Sequence, residues 1–344
     1  MSSDTTAQSS GHGVGLIDLH THAIAADLPE FGGEDYRWPR VERVDETTAR
    51  ILLGGRPYRD IDERCWSAPR RVRDMDAAGV DIQVVSPTPV TFCHDAPAEG
   101  ARALAAAQND FLADLVAAAP GRLRALGAVP MQDPAAAIHE LHRCVGELGF
   151  LGVEIGTRVG EMELGDERLD PFFNRAAELG AMVFVHPADV LLDPRLAALG
   201  IPFGAGMPSE TGIAAAGLLV SGALRRRRTG VRICLAHGGG TLPWLLPRLD
   251  KGERIKNANV APDELPSALA RRLCSDSLTY DEASLLLAVR RYGADQVYLG
   301  TDYPFAAKED PVGDVLTGEL TNPSLRAAIG RDNALALLKE TSHG

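Results

Sequence analysis

Residues 124–187 read RALGAVPMQDPAAAIHELHRCVGELGFLGVEIGTRVGEMELGDERLDPFFNRAAELGAMVFVHP. Three short apolar runs, RALGAVP (124–130), GVEIGT (152–157) and MVFVHP (182–187), are separated by Ala- and Leu-rich segments of helical period at 134–148 and 170–179. Short strands alternating with helices make βαβ units, because a parallel strand needs a long crossover to bring the chain back. The same rhythm continues outward. LIDLH (16–20) and DIQVVS (81–86) precede this stretch, and VRICLAH (231–237), LCSDSL (273–278) and QVYLGTD (296–302) follow it, with further helical segments at 99–118, 211–227 and 281–292. Eight such units close naturally into a (β/α)8 TIM-type barrel. The runs are continuously apolar rather than strictly alternating, as a parallel sheet buried on both faces requires.

One barrel over 16–340 accounts for most of the 344 residues, preceded by a polar tail at 1–15. Residues 23–65 break the rhythm after the first strand, with Pro, Gly and charges around TTARILLGG (47–55), and read as an insertion. A second irregular stretch, 188–210, follows the fifth strand. Both leave strand C-termini, the end of a barrel that carries its chemistry, so both are expected to wall a pocket. The run Arg225–Arg228 closes a predicted helix, where cations favour the negative end of the dipole, and reads as a solvated helix end.

Composition narrows the function. Hydrophobic residues make up 45% and charged residues 24%, ordinary globular usage, while the net charge of −12 opposes binding to nucleic acid. No run approaches the roughly 18 apolar residues of a membrane span. The N-terminus lacks the basic and apolar regions of a secretory signal, and Cys65, Cys93, Cys144, Cys234 and Cys274 form no CxxC pair. The expected setting is the cytoplasm.

The strongest chemical signal is His20-Thr21-His22 at the end of the first strand, since residues i and i+2 of a strand share a face. Alone, an HxH is more often a buried structural pair. His186 ends strand five, His237 strand six and Asp302 strand eight, which brings five metal-competent or acid–base groups to one rim. His20, His22, His186 and Asp302 offer the mixed nitrogen and oxygen ligands that suit Zn²⁺, with an open position for a water that ionises near neutral pH. His237, followed by Gly238-Gly239-Gly240, is the expected general base. Asp18 is taken to stand out of phase with the histidines and to support the barrel. Glu154 is either an inward acid–base or supporting group, or an anchor for an arginine. Asp276 either orients His237 or caps a loop. His12, His94, His139 and His142 read as structural, and Cys234 as a buried, unactivated thiol.

IDLHTH, FVHPAD, LAHGGGTLPWLLPRLD and LGTDYPF, together with DMDAAGVDIQVVSPTPV and MPSETGIAAAGLLVSGAL, resemble the decarboxylating branch of the amidohydrolase superfamily. The likeness is greatest to the aminocarboxymuconate semialdehyde decarboxylase family, and it spans residue 16 to about 340. It implies a zinc ion on His20, His22, His186 and Asp302, with another divalent metal such as Mn²⁺ acceptable, and His237 as base. It further implies a small carboxylated substrate, ring-opened or aromatic, such as 2-amino-3-carboxymuconate 6-semialdehyde. The resemblance places Arg59 and Arg248 on the substrate carboxylates, Arg248 reaching across a homodimer interface, and Phe305 in the pocket. Arg59 lies in the variable insertion and competes with Arg56 and Arg64. Two departures bear on the substrate: Pro-Ala-Asp follows His186 where the near family has a Trp after the proline, and Glu154 stands where it has a neutral amide. Two other readings share these residues, a metal-dependent hydrolase of a lactone or amide and a non-catalytic barrel scaffold.

Overall fold

The computed structural model of the chain describes residues 15–28, 36–188, 192–228 and 230–341. Apart from Gly15, the polar tail lies outside these residues, as do His12 and parts of both irregular stretches. Eight parallel strands form one sheet in the order β1 (Leu16–Ala23), β5 (Val80–Pro87), β6 (Leu123–Gly127), β7 (Gly152–Gly156), β10 (Met182–His186), β11 (Arg232–Leu235), β12 (Leu273–Asp276) and β13 (Val297–Tyr298). The sheet curls back on itself. Leu19 N–H donates to Leu299 O at 2.8 Å, Asp302 N–H to His20 O at 2.8 Å and His22 N–H to Tyr303 O at 2.7 Å, so the segment after β13 lies along β1. Regular pairing in the last strand covers only two of the residues expected over 296–302. Beyond it the backbone bonds to β1 and to the Asp18 carboxylate instead, which accepts from Thr301 N–H at 3.1 Å.

Helices α1 (Ala68–Ala78), α2 (Ala98–Ala117), α3 (Pro134–His142), α4 (Asp170–Glu178), α6 (Met207–Val220), α8 (Leu242–Lys256) and α10 (Glu282–Tyr292) return the chain between strands, with the shorter α5 (Pro194–Ala198), α7 (Ala223–Arg226) and α9 (Pro266–Leu269) between them. Local chemistry sets their ends. Asp133 accepts from Ala136 N–H ahead of Pro134, and Asp281 caps α10 through Ser284 N–H. Gly79, left-handed at φ 71°, ends α1 and delivers the chain directly into β5. The helix expected over 211–227 begins earlier, at Met207, and breaks at Gly222, whose φ of 79° favours glycine.

Strand alternation sorts the core into two shells. Met182 and Phe184 join Ile17, Leu19, Val84, Leu126 and Cys234 inside the barrel, and Ala334 and Leu337 of α12 (Asn333–Thr341) pack with this inner group. Val183 and Val185 face outward to the helices. Among the described residues of the insertion, β2 (Pro39–Arg43), β3 (Thr48–Leu53) and β4 (Arg56–Asp62) form an antiparallel sheet. Ala49, Ile51 and Leu53 alternate inward from β3 and pack with Trp38, Ile61 and Leu104, which fixes this sheet beside the C-terminal rim.

The arginine run departs from a solvated helix end. Arg227 is buried, its Nε donating to Asp170 Oδ1 at 2.7 Å, its Nη2 to Leu164 O at 2.6 Å, with the guanidinium 3.9 Å from the centre of the Phe173 ring. The chain reverses after Arg226, and Arg227, in extended conformation, turns inward. Asp170→Ala is expected to lower stability by about 3 kcal/mol in urea unfolding, because it leaves a buried cation uncompensated. Arg225→Ala, at the exposed start of the run, should move the midpoint little.

Candidate metal centre and substrate pocket

At the C-terminal rim, His20, His22, His186 and Asp302 each direct one ligand atom into a cluster whose members lie within 4.8 Å of one another. His20 and His22 leave β1 on one face, with their Nε2 atoms 3.1 Å apart. Asp302 Oδ1 is 3.1 Å from His22 Nε2 and 3.8 Å from His20 Nε2. The opposite ring nitrogens show which tautomer each histidine adopts. His20 Nδ1 lies 2.6 Å from Asp276 Oδ2, His22 Nδ1 3.2 Å from Pro87 O and His186 Nδ1 2.8 Å from Pro187 O. Each of these oxygens accepts a hydrogen bond from Nδ1–H, so that in the neutral rings the three Nε2 atoms would offer lone pairs beside a carboxylate oxygen. Among the described residues no group hydrogen-bonds His186 Nε2, although it is buried. Buried lone pairs turned toward one another are costly without a shared cation. The donor set fits a divalent metal.

The electrostatics favour a proton on His20, which a bound cation would displace. Burial disfavours the charged form of His20, but the hydrogen bond and charge of Asp276 outweigh it and hold the imidazole up at about 9. Burial, then the neighbouring His237 and His22, push His186 well below its ordinary range. Burial opposes ionisation of Asp302, yet the close approach of His22, and then of His20 and His237, keeps this carboxyl below the usual carboxylate value.

His237 stands beside the cluster, its ring 4.9 Å from that of His186 and 5.5 Å from that of His20. Its backbone is left-handed at φ 59°, and Asp276 anchors the turn by accepting from His237 N–H at 3.0 Å and Gly238 N–H at 2.7 Å. Among the described residues neither ring nitrogen of His237 has a hydrogen-bond partner. Burial and the nearby His20 lower this imidazole to about 4, so it stays neutral near pH 7. The glycines after it answer to the fold rather than to a ligand: a side chain at Gly239 would meet the Tyr292 hydroxyl, and one at Gly240 the carbonyl of Pro208.

Asp276 therefore caps the loop through the His237 and Gly238 amides without bonding the His237 ring, and it holds His20 as well. Asp18 shares the histidines' parity, so strict alternation would turn it toward them. A register shift between Asp18 and Thr21 breaks the alternation, and the carboxylate accepts instead from Thr301 Oγ1 at 2.6 Å and His20 N–H at 3.2 Å. Glu154 is fully buried and faces His22 Nδ1 at 3.9 Å rather than an arginine. Burial raises its pKa well above the ordinary value. His94 stacks on Phe92 and accepts from Gly156 N–H, whereas His139 and His142 lie exposed on α3, all three apart from the cluster. Burial keeps the Cys234 thiol protonated.

The cluster opens into a cavity of about 920 Å³. The insertion supplies one wall, with Tyr58, Arg59 and Arg64; Pro187, Phe203 and Met207 supply another; His22, His186, Asp302 and Phe305 lie along the cavity as well. Both irregular stretches thus wall the pocket. The insertion arginines stand in different surroundings. Arg64 pairs with Asp62 at 2.7 Å and Arg50 with Asp60 at 2.6 Å, and Arg56 is exposed at the start of β4, outside the lining. Arg59 lies over the Phe305 ring at 4.8 Å, and that ring is 5.7 Å from His22. Arg248 is exposed on α8 and does not line the cavity of its own chain.

Arg71 had no sequence signal, since an arginine in RRVRD reads as a solvated helix face. It is fully buried, donating to the His22 carbonyl, to Thr21 Oγ1 at 3.2 Å and to Arg64 O at 2.9 Å, with its guanidinium 4.9 Å from the Tyr303 ring. It ties α1 to both segments that carry the cluster.

The amidohydrolase family model matches residues 17–339. The chain belongs to the amidohydrolase family. Among its relatives, a 2-amino-3-carboxymuconate-6-semialdehyde decarboxylase of Dictyostelium discoideum is 35% identical over 313 residues, covering 88% of this chain and 84% of the relative. A gamma-resorcylate decarboxylase of a Polaromonas species is 30% identical, covering 94% of this chain and 98% of the relative. Among solved structures, a dihydroxybenzoic acid decarboxylase from Polaromonas with bound manganese and the inhibitor 2-nitroresorcinol matches with a TM-score of 0.74 at 26% identity, covering 94% of this chain and 97% of that one. The amidohydrolase assignment thus rests on nearly the whole chain. Among the described residues no helix is long and apolar enough to cross a membrane.

Proposed function

We propose that this amidohydrolase is a metal-dependent, non-oxidative decarboxylase of a small carboxylic acid on a planar conjugated skeleton, ring-opened or aromatic. The observation that carries the reading is the convergence of three imidazole Nε2 atoms and Asp302 beside a neutral His237, at the mouth of a cavity whose wall bears Arg59. His20, His22, His186 and Asp302 would hold the ion, Zn²⁺ by the ligand chemistry, with Mn²⁺ the alternative favoured by the manganese in the Polaromonas relative. A bound divalent ion supplies Lewis acidity toward a substrate oxygen. In the reaction the C–C bond to the carboxylate breaks, its electron pair stays on the carbon, CO₂ leaves and that carbon takes a proton. His237, neutral and with no partner on its ring among the described residues, is the group placed to take that proton from water and deliver it to the carbon. Arg59 orients a carboxylate, and Phe305 supports both the guanidinium and the substrate.

Decarboxylation separates from hydrolysis in one assay. The metal-loaded protein, supplied with 2-amino-3-carboxymuconate 6-semialdehyde and with dihydroxybenzoates, is expected to release CO₂. Hydrolysis of a lactone or amide without CO₂ release would replace this reading with the hydrolase.

The proposal includes a homodimer in which Arg248 serves the partner's site. Trp244 (78% exposed), Arg248, Lys251 and Ile255 (73% exposed) share one face of α8, where two exposed apolar side chains flank two cations and support a second copy as occupant. Arg248→Ala and His237→Ala chains, each nearly inactive alone, should recover activity when mixed, because one of the two sites in a mixed dimer then has both residues. Mixtures that exchange subunits and stay inactive would return Arg248 to its own chain's fold.

A further inference from the structure

The loops after β10 and β12 bring together two aromatic side chains that the proposed chemistry does not use. Phe203 is 51% exposed and lines the cavity, and Tyr280 is 54% exposed. Their ring centroids lie 6.2 Å apart with planes at 63°, an edge-to-face contact. Tyr280 is held at φ 58°, a left-handed conformation costly for any residue with a side chain, and its hydroxyl donates to Ala307 O at 2.7 Å. Ala307 itself lines the cavity. Three rim loops are therefore joined so that one phenyl group stays at the pocket wall with its surface open to the cavity.

The walls differ in character. On the insertion side Arg59 lies over Phe305, whereas on the other side Phe203, Met207 and Pro187 present apolar surface. A flat ring with a carboxylate on one edge matches this polarity, its edge toward Arg59 and the metal ligands and its face toward Phe203. An acyclic dicarboxylate offers charge at both ends and less apolar face.

We propose that Phe203, braced edge-on by Tyr280, is a specificity-determining residue that takes the face of the substrate ring, so that this site favours aromatic carboxylic acids over open-chain dicarboxylates. The inference rests on the decarboxylase reading for its substrate class, but binding tests it separately from turnover. Calorimetric titration of the metal-loaded enzyme with 2,6-dihydroxybenzoate and with cis,cis-muconate should show tighter binding of the aromatic acid. Phe203→Ala should weaken the aromatic acid about tenfold and leave muconate little changed, the size expected when an aromatic contact is lost. Tyr280→Gly supplies the second readout. Glycine adopts φ 58° without strain, so the melting temperature should not fall while the preference for the aromatic acid does. Equal weakening of both ligands, a preference of the wild type for muconate, or a preference untouched by either substitution would overturn the proposal. CO₂ release with unchanged KM in Phe203→Ala would remove the rim and keep the decarboxylase. Selective, Phe203-dependent binding without any CO₂ release would keep the rim and remove the decarboxylase.

Discussion

His237→Ala is expected to lower kcat by roughly 10²–10⁴ without loss of bound metal, the usual worth of a general acid–base group. The ring stands 4.9 Å from that of His186, yet it is not part of the converging donor set. Its position comes from the backbone: Asp276 accepts from the amides of His237 and Gly238, so the turn holds its shape when the imidazole is removed. Burial and His20 keep the imidazole neutral near pH 7, where it takes a proton and does not begin with one. Steady-state rates of CO₂ release and elemental analysis of the same preparation make the test. A variant that loses its ion along with its activity would turn His237 into a ligand.

Asp302→Ala is expected to strip the metal. Asp302 is the only carboxylate in the donor set, 3.1 Å from His22 Nε2, and its oxygen supplies the negative charge that three neutral imidazoles lack. Asp276→Asn provides the scale. That change keeps every ligand atom but weakens the partner of His20 Nδ1 and disturbs the bonds from the His237 and Gly238 amides; loss of such a supporting partner typically costs about 10–100-fold in metal affinity. Asp302→Ala should exceed it, read as the chelator concentration at which each protein releases its ion. A fully metallated Asp302→Ala protein would remove that residue from the ligand set. Activity of wild-type protein stripped by chelation should return on adding Zn²⁺ or Mn²⁺, and the more effective ion names the working metal.

Much of the scaffold was legible in the sequence because a barrel is built from local periodicities. Strands of apolar residues and helices of period 3.6 announce themselves over a few residues, and each of the eight expected strands lies where the runs predicted, with ends moved by up to four residues. Part of the site was legible for the same reason. His20 and His22 share a strand end, and His186, His237 and Asp302 each end another, so barrel geometry alone brings them to one rim.

What the local pattern could not carry is partnership between distant residues. That Arg64 pairs with Asp62 while Arg59 lies over Phe305 at the cavity and Arg56 stands outside it is not written in the spacing of the insertion. Asp18 left the histidines' face through a register shift that no residue type announces. Arg227 reads as a solvated charge until packing encloses it with a carbonyl, a carboxylate and an aromatic ring, and Arg71, which carries no sequence signal, is enclosed by carbonyls and the Tyr303 ring. Phe203 and Tyr280, from separate loops, became one rim only in space. By itself the sequence determined the barrel, the rim and the metal-competent residue types, since period and strand ends are local. Tertiary structure alone decided the tautomers, the paired and stacked arginines and the pocket walls, because hydrogen bonds and burial depend on neighbours that the chain order does not specify.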